Sequence, residues 1–199
     1  MRKVFLSSLL VLAGLQLLSQ KSAVVPDYKN ELRVGIFQFF TGTLNVSYEH
    51  YFKPASSIVI EGNLTLIRDN EEDVIGGKGE MQYRFYVRPS STVKNASRLE
   101  GIFVGPYVGY HYYDITDHNY YVAGSYYPID KDVYYSTIMG GFIAGVKYTI
   151  LERFTVDAYL GGGLRSTDTD DDYNQNNNIF ERGYTGISPR VNLTFGIRF

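Results

Sequence analysis

A histidine beside acidic residues is the first candidate for chemistry in this sequence. His118 follows Asp114 and Asp117, and a fold could bring the hydroxyl of Ser125 or Ser136 close to it. A serine, a histidine and a carboxylate held together can attack an ester or a peptide bond. Nothing in the spacing fixes that geometry, and the sequence has no G-x-S-x-G nucleophile motif. We therefore interpret His118 as a surface residue and predict a protein without catalytic residues.

An acidic stretch, STDTDDDYNQNNN, is the second candidate, because Asp168, Asp170 and Asp172 alternate in it as at the start of a calcium-binding loop. The sixth position of that loop needs glycine but holds Tyr173, and the twelfth holds Ile179 instead of glutamate. We interpret the stretch as a solvated acidic loop, with weak calcium binding as the alternative. Zinc spacings and nucleotide-binding motifs do not occur, so we predict no metal site and no cofactor.

The remaining charged candidates lie within predicted strands, between apolar neighbours, so they share one face of the sheet. If that face lines a small barrel, the interior has room for side chains alone, and unpaired charges there would cost several kcal/mol each. We expect a paired network that plugs the lumen; a narrow ion path is the alternative. The predicted set is Glu49, Glu61, Glu80, Arg84, Arg88, Lys147, Asp157, Arg165, Arg190 and Arg198, with Glu31, Arg33 and Lys78 on the same face.

Alternation of apolar and polar residues predicts the strands that must position these charges. We expect eight, at residues 31–40, 43–52, 56–67, 78–88, 101–113, 135–150, 154–165 and 189–199. The connections at 53–56 and 151–153 are short, whereas 89–100 is longer. Longer loops at 68–77, 114–134 and 166–188 would lie at the opposite end. The tyrosine-rich loop at 114–134 favours a hairpin that projects from the barrel, with adhesion as a second interpretation.

Periodicity alone does not decide which face of the strands is inside. Three features favour a barrel in a membrane, with its polar face inward. The strands match the roughly 9–11 residues that cross a bilayer at a tilt. Glycines and tyrosines on the polar face suit the filling of a small barrel. Aromatic residues near the strand ends form two girdles. A soluble, lipocalin-like binder would need an apolar interior, and the polar face argues against it.

The first residues predict export. Arg2 and Lys3 precede an apolar run that is too short for a spanning helix, so we assign a signal peptide to residues 1–23, with cleavage near Ser19 or Ala23. The barrel domain then covers residues 31–199. The chain has no cysteine and a formal net charge of −2, which excludes disulfides and gives no support for nucleic-acid binding.

Four stretches carry a family resemblance: TLNVSYEHYF, GIFVGPYVGYHYY, GGFIAGVKYTILERFTVDAYLGGGL and SPRVNLTFGIRF. With them, residues 31–199 resemble the small, porin-like or uncharacterised outer-membrane β-barrel families of Bacteroidota. The resemblance implies the outer membrane of a Gram-negative bacterium and contact with its lipids. It also implies that Phe199 is a signal for the barrel assembly machinery. No catalytic residue and no extracellular ligand can be carried over.

The fold class that follows is all-β: an eight-stranded, antiparallel, up-and-down transmembrane barrel preceded by a signal peptide. The expected role is structural, or one of surface interaction through the outer loops. An outer-membrane enzyme that acts on lipid or peptide at the outer leaflet, or a narrow porin-like channel, is the alternative.

Overall fold

The computed structural model describes residues 28–53, 55–70, 72–87, 101–120, 129–150, 153–170 and 184–199. The eight strands in these ranges pair in chain order, antiparallel, and close into a barrel, which confirms the predicted all-β, eight-stranded, up-and-down architecture. The predicted signal peptide lies outside the described ranges, as do Arg88 and Asp172. Within them, no helix is long and apolar enough to cross a membrane.

The strand bounds follow the alternation of the sequence, and most strands are longer than predicted. The strands are β1 (Asn30–Gly35), β2 (Thr43–Lys53), β3 (Ser56–Arg68), β4 (Glu72–Val87), β5 (Gly101–Tyr120), β6 (Ile129–Ile150), β7 (Phe154–Thr169) and β8 (Gly186–Arg198). We call the end with the connections after β1, β3, β5 and β7 the upper end. The opposite end, with Asn30 and Arg198, is the lower end.

Polar residues line the barrel and apolar residues cover its outside. On β8, Asn192 and Thr194 are buried while Val191 is 80% exposed. On β4, Gln82 and Arg84 are buried between exposed Met81 and Phe85. This is the reverse of a soluble barrel, whose apolar face is its core. We call this outward apolar band the belt; it includes Leu64, Met81, Val108, Phe142, Leu160 and Val191.

The connection between β1 and β2 corrects one predicted strand. We expected β1 to reach Phe40, but it ends at Gly35 and a single 3-10 turn follows, Gln38–Thr41. Gly42 closes the turn with a φ of 71°, a conformation that glycine adopts without strain. The turn exposes three phenylalanines, Phe37, Phe39 and Phe40. Apolar residues continue through this stretch, so the prediction extended the strand, although the adjacent pairs Ile36–Phe37 and Phe39–Phe40 break the alternation.

The opposite wall of the barrel is taller than predicted, which corrects three loops. Residues 72–77, predicted as loop, pair with β5 as the first part of β4. β5 and β6 remain paired as far as Tyr120 and Ile129, which confirms the projecting hairpin favoured for residues 114–134 and extends both strands beyond their predicted bounds. β7 continues to Thr169 and β8 begins at Gly186. These stretches were predicted as loops because they contain acidic residues and glycines, which are uncommon in strands. The upper rim is therefore low at β1 and high at β5 and β6.

The alternation inverts in the upper parts of β4, β5 and β6. We call residues 72–74, 113–120 and 129–135 the upper sheet. Its inner face is apolar up to the Ile115–Val133 pair: Val74, Ile115, Val133 and Tyr135 are buried in one cluster, with Ile67 and Tyr113 packed against them. Above that cluster, the same face carries Glu72, Asp117 and Lys131. Its outer face is polar and carries Asp73, Asp114, Thr116, His118, Asp130 and Asp132. Here the protein has the pattern of a water-soluble sheet.

A short ladder between β1 and β8 closes the barrel. It runs from the Glu31–Arg198 pair to the Gly35–Thr194 pair. Below it, the Phe199 N–H donates to the Asn30 carbonyl at 3.0 Å, and the Asn30 N–H donates back at 3.2 Å. Above Gly35, no described strand pairs with the β1-facing edge of β8.

Candidate functional site

Charged side chains gather in the lower half of the lumen, and six strands supply them. Because each strand alternates, all its polar residues of one parity point inward to the same axis. The cluster consists of Glu31, Arg33, Glu49, Arg84, Lys147, Asp157 and Arg198, each exposed by 2% or less. We call it the lower cluster.

Arg33 is at the centre of the lower cluster. Its Nη1 donates to Glu49 Oε2 and to Asp157 Oδ2, both at 2.9 Å. Arg84 Nη1 reaches the same Asp157 oxygen at 2.5 Å. Lys147 Nζ donates to Glu31 Oε2 at 3.1 Å and also binds Glu49. The Arg33–Glu49 bond joins the paired strands β1 and β2, whereas the bonds to Asp157 and those from Lys147 join strands that are not neighbours in the sheet, so they cross the lumen.

Neutral groups donate further hydrogen bonds to two of the lower carboxylates, Glu49 and Glu31. The Tyr86 hydroxyl donates to Glu49 Oε1 at 2.7 Å, and Ser57 Oγ donates to the same oxygen. Thr155 Oγ1 donates to Glu31 Oε1 at 2.8 Å. Buried carboxylates need such partners, because each unmatched lone pair adds to the desolvation cost.

A second group, the upper cluster, lies above the first and consists of Glu61, Lys78, Glu80 and Arg190. Lys78 Nζ lies 3.1 Å from Glu61 Oε1 and 2.9 Å from Glu80 Oε2. Arg190 Nη1 binds the same Glu80 oxygen at 2.5 Å. Two acids and two bases therefore balance within the upper cluster.

Aromatic rings fill the space around both clusters. Tyr51, Tyr86, Phe103, Tyr107 and Tyr159 form one buried group with Met139 and Ile143. The Arg84 guanidinium lies 4.2 Å from the centre of the Phe103 ring, and that of Arg190 lies 4.4 Å from the Tyr107 ring. Such stacking favours guanidinium groups that are shielded from water.

Glycines opposite the large side chains provide the necessary room. A Cβ at Gly145 would lie 2.5 Å from the Phe103 ring, and a Cβ at Gly196 would lie 2.5 Å from Cγ of Arg33. Any larger residue at these positions would displace a buried ring or a guanidinium. The lumen is thus packed by pairs of small and large residues.

The structure brings together nearly all the described members of the predicted lumen set. Arg165 is the exception: it lies near the upper end, with its guanidinium 5.0 Å from the Tyr184 ring. Sequence reasoning did not single out the neutral partners Ser57, Thr155 and Tyr86. The sequence could have identified them, because each lies an even number of residues from a lumen charge on its own strand: Ser57 from Glu61, Thr155 from Asp157, and Tyr86 from Arg84.

The acidic stretch at 168–172 is placed in part. Asp168 is exposed on β7, and Asp170 Oδ1 accepts a hydrogen bond from the Tyr134 backbone N–H at 2.9 Å. Asp168 thus lies in a strand, where we had expected a loop. Among the described residues, no three histidine or acidic side chains are arranged to hold a metal ion.

The candidate serine and histidine are not brought together. Ser136 Oγ shares a hydrogen bond of 2.9 Å with the Tyr110 hydroxyl. His118 Nδ1 is bonded instead to Asp130 Oδ1 at 2.9 Å. Ser125 lies outside the described residues.

Residues 7–186 match the family described as "Protein of unknown function (DUF3575)". The chain belongs to that family. Among solved structures, it is similar to the N-terminal β-barrel domain of Pseudomonas aeruginosa OprF, with 14% sequence identity and a TM-score of 0.41. That similarity covers 87% of this chain and 98% of the OprF domain. No curated protein sequence matches the chain.

Proposed function

We propose that this chain is an integral outer-membrane barrel whose lumen is closed by its own ion pairs. In this proposal it serves as a structural or surface-contact protein, without catalysis. The observation that carries the proposal is the inverted distribution of polarity, with charges buried inside and the belt exposed outside. Exposed apolar surface on this scale destabilises a protein in water and is stabilised by lipid.

The upper sheet supports the position of the bilayer. Apolar residues face outward on β5 up to Tyr110 and Tyr112, and above them the outward residues are Asp114, Thr116 and His118. Tyrosine is enriched where lipid meets water. We place the outer interface at this change, with the upper sheet projecting into water as the contact surface.

The two clusters support a closed lumen. Both are more than nine-tenths buried except for Arg190, whose side chain is 11% exposed. Eight strands leave an interior that side chains can fill. We therefore propose that the barrel is a rigid support for the upper sheet and that it transports no solute. Phe199, which is exposed at the lower end, is our candidate contact for the assembly machinery.

Tryptophan fluorescence tests the membrane placement, since the chain contains no tryptophan of its own. Leu160→Trp places an indole in the belt, and Asp168→Trp places one on the outward face of the same strand, above the proposed interface. In vesicles of brominated phospholipid we expect strong quenching of the first and weak quenching of the second. A folded Leu160→Trp barrel whose indole fluorescence stays unquenched would contradict the proposal.

Recordings in planar bilayers test the closed lumen separately. The reconstituted wild-type protein is expected to give no large, steady conductance. A stable open level in most insertions would favour the porin-like alternative, even if the quenching result places the barrel in lipid.

A further inference from the structure

We propose that His118 forms a protonation-dependent clamp that ties strands β4, β5 and β6 together at the upper end of the barrel. The proposal adds a pH response to the upper sheet. It depends on contacts within the protein and so holds whether or not the membrane placement is correct.

His118 lies between carboxylates of both neighbouring strands. Its Nδ1 lies 2.9 Å from Asp130 Oδ1 on β6, and its Nε2 lies 3.9 Å from Asp73 Oδ2 on β4. Both ring nitrogens therefore face an acceptor. Since both nitrogens carry a proton only in the imidazolium, that form suits the two neighbours best.

The surrounding charges are mainly negative. On β4 they are Glu72 and Asp73, on β5 Asp114 and Asp117, and on β6 Asp130, Lys131 and Asp132. Arg68 of β3 lies 3.3 Å from Asp73 and offsets part of its charge. If His118 loses its proton, the carboxylates of the three strands face each other with less compensation.

The direction of the pH response follows from these contacts. The hydrogen bond with Asp130, helped by the charges of Asp130, Asp73 and Asp117, raises the pKa of His118 above its ordinary value of 6.5. A raised folded-state pKa means that the clamp contributes fully below pH 6.5 and is lost as the pH rises through the folded pKa. Acidification should tighten the upper sheet.

Hydrogen exchange of the backbone amides in β5 and β6 above Tyr112 tests the clamp. Wild type and His118→Gln are compared at pH 5.5 and again at pH 8.5, so that the intrinsic pH dependence of exchange cancels. At pH 5.5 we expect wild type to exchange about two- to five-fold more slowly, the size of an exposed ion-pair contribution. At pH 8.5 the two proteins should be nearly equal.

Two further variants make the result specific. Asp130→Asn keeps the shape of the partner and removes its charge, so it should abolish most of the difference at pH 5.5. His50→Gln is the matched control, because His50 is bonded to the neutral Asn30 amide at the lower end, at 2.8 Å. It should leave exchange in the upper sheet unchanged at both pH values. Equal exchange of wild type and His118→Gln at pH 5.5, or a difference that persists at pH 8.5, would overturn the proposal.

Discussion

The belt and the upper sheet are built from the same continuous strands, yet they turn opposite faces outward. Along β5, Val104 and Val108 point away from the barrel, whereas farther up it is Asp114 and Thr116 that do so. The strand does not slip by one residue, since β5 and β6 keep one register from Gly101–Lys147 to Asp117–Lys131. The backbone geometry is thus the same in both regions, and only the side chains differ: apolar residues face outward in the belt and polar residues face outward in the upper sheet.

The inside differs accordingly between the two regions. In the belt region, ion pairs share the interior with buried aromatic rings, while in the upper sheet Val74, Ile115 and Val133 form a small apolar core. Removing a buried charge should therefore destabilise the belt region, and removing a buried methyl group should destabilise the upper sheet.

The largest expected effect is the loss of a buried base from the lower cluster. Lys147→Met leaves Glu31 and Glu49 without their shared ammonium group. Breaking a buried pair on one side costs about 3–5 kcal/mol. We expect the free energy of unfolding to fall by that amount. It is measured by urea unfolding of the detergent-solubilised barrel, with heat-modifiable gel migration as the readout of the folded fraction.

The control for Lys147→Met is a charge outside the lumen. Arg68→Met removes one of the two basic partners of Asp73, the other being His118, but the Arg68 side chain is 84% exposed. An exposed pair contributes about 0–1 kcal/mol. If both variants lost equal stability, burial of the lower cluster would not be what distinguishes the two regions.

A charge placed on the belt should have the next largest effect. Leu160→Arg faces outward with 67% of the leucine exposed. An arginine near the middle of the bilayer destabilises a barrel by about 2–4 kcal/mol. We expect reduced folding yield into vesicles, whereas Asp168→Arg on the same strand should fold normally. Normal folding of Leu160→Arg would place that surface in water.

The smallest effect is expected in the upper core. Ile115→Val removes one buried methylene group, at a cost of about 0.5–1.5 kcal/mol. The loss of stability should appear as faster hydrogen exchange of the backbone amides in β5 and β6 above Tyr112. Exchange of the backbone amides beside the lower cluster should not change. Faster exchange throughout the barrel would show that the two regions unfold as one unit.

The strand number, the faces and the lumen charges could be predicted because alternation with period two carries that information directly. Arg84 lies between Tyr83 and Phe85, and Asp157 between Val156 and Ala158, and strand geometry then requires that such charges converge. A hairpin was predicted at 114–134, but the apolar inner face of the upper sheet was not, because its apolar residues have the opposite parity. Val133 and Tyr135 do not extend the outward series that ends at Ile138, so the outward pattern stops there.

Pairing within the lumen lay beyond the sequence for a different reason. Alternation indicates that Arg33 points inward, but its bond to Asp157 depends on barrel closure, and its bond to Glu49 depends on the register between β1 and β2. The end of β1 at Gly35 was also hidden, because the phenylalanines of the turn prolong an apolar pattern that continues into β2.

The brief ladder between β1 and β8 has a consequence for how this molecule forms. Its pairs, from Glu31–Arg198 to Gly35–Thr194, join the first strand to the last, whereas every other described ladder joins two strands that are consecutive in the sequence. Long-range pairing is slow, because the chain loses conformational entropy before the contacts compensate for it. Pairing of β1 with β8 should therefore limit the rate of folding. The bond from Lys147 of β6 to Glu31 of β1 crosses the lumen, and it should slow the separation of β1 from β8 once the barrel has closed.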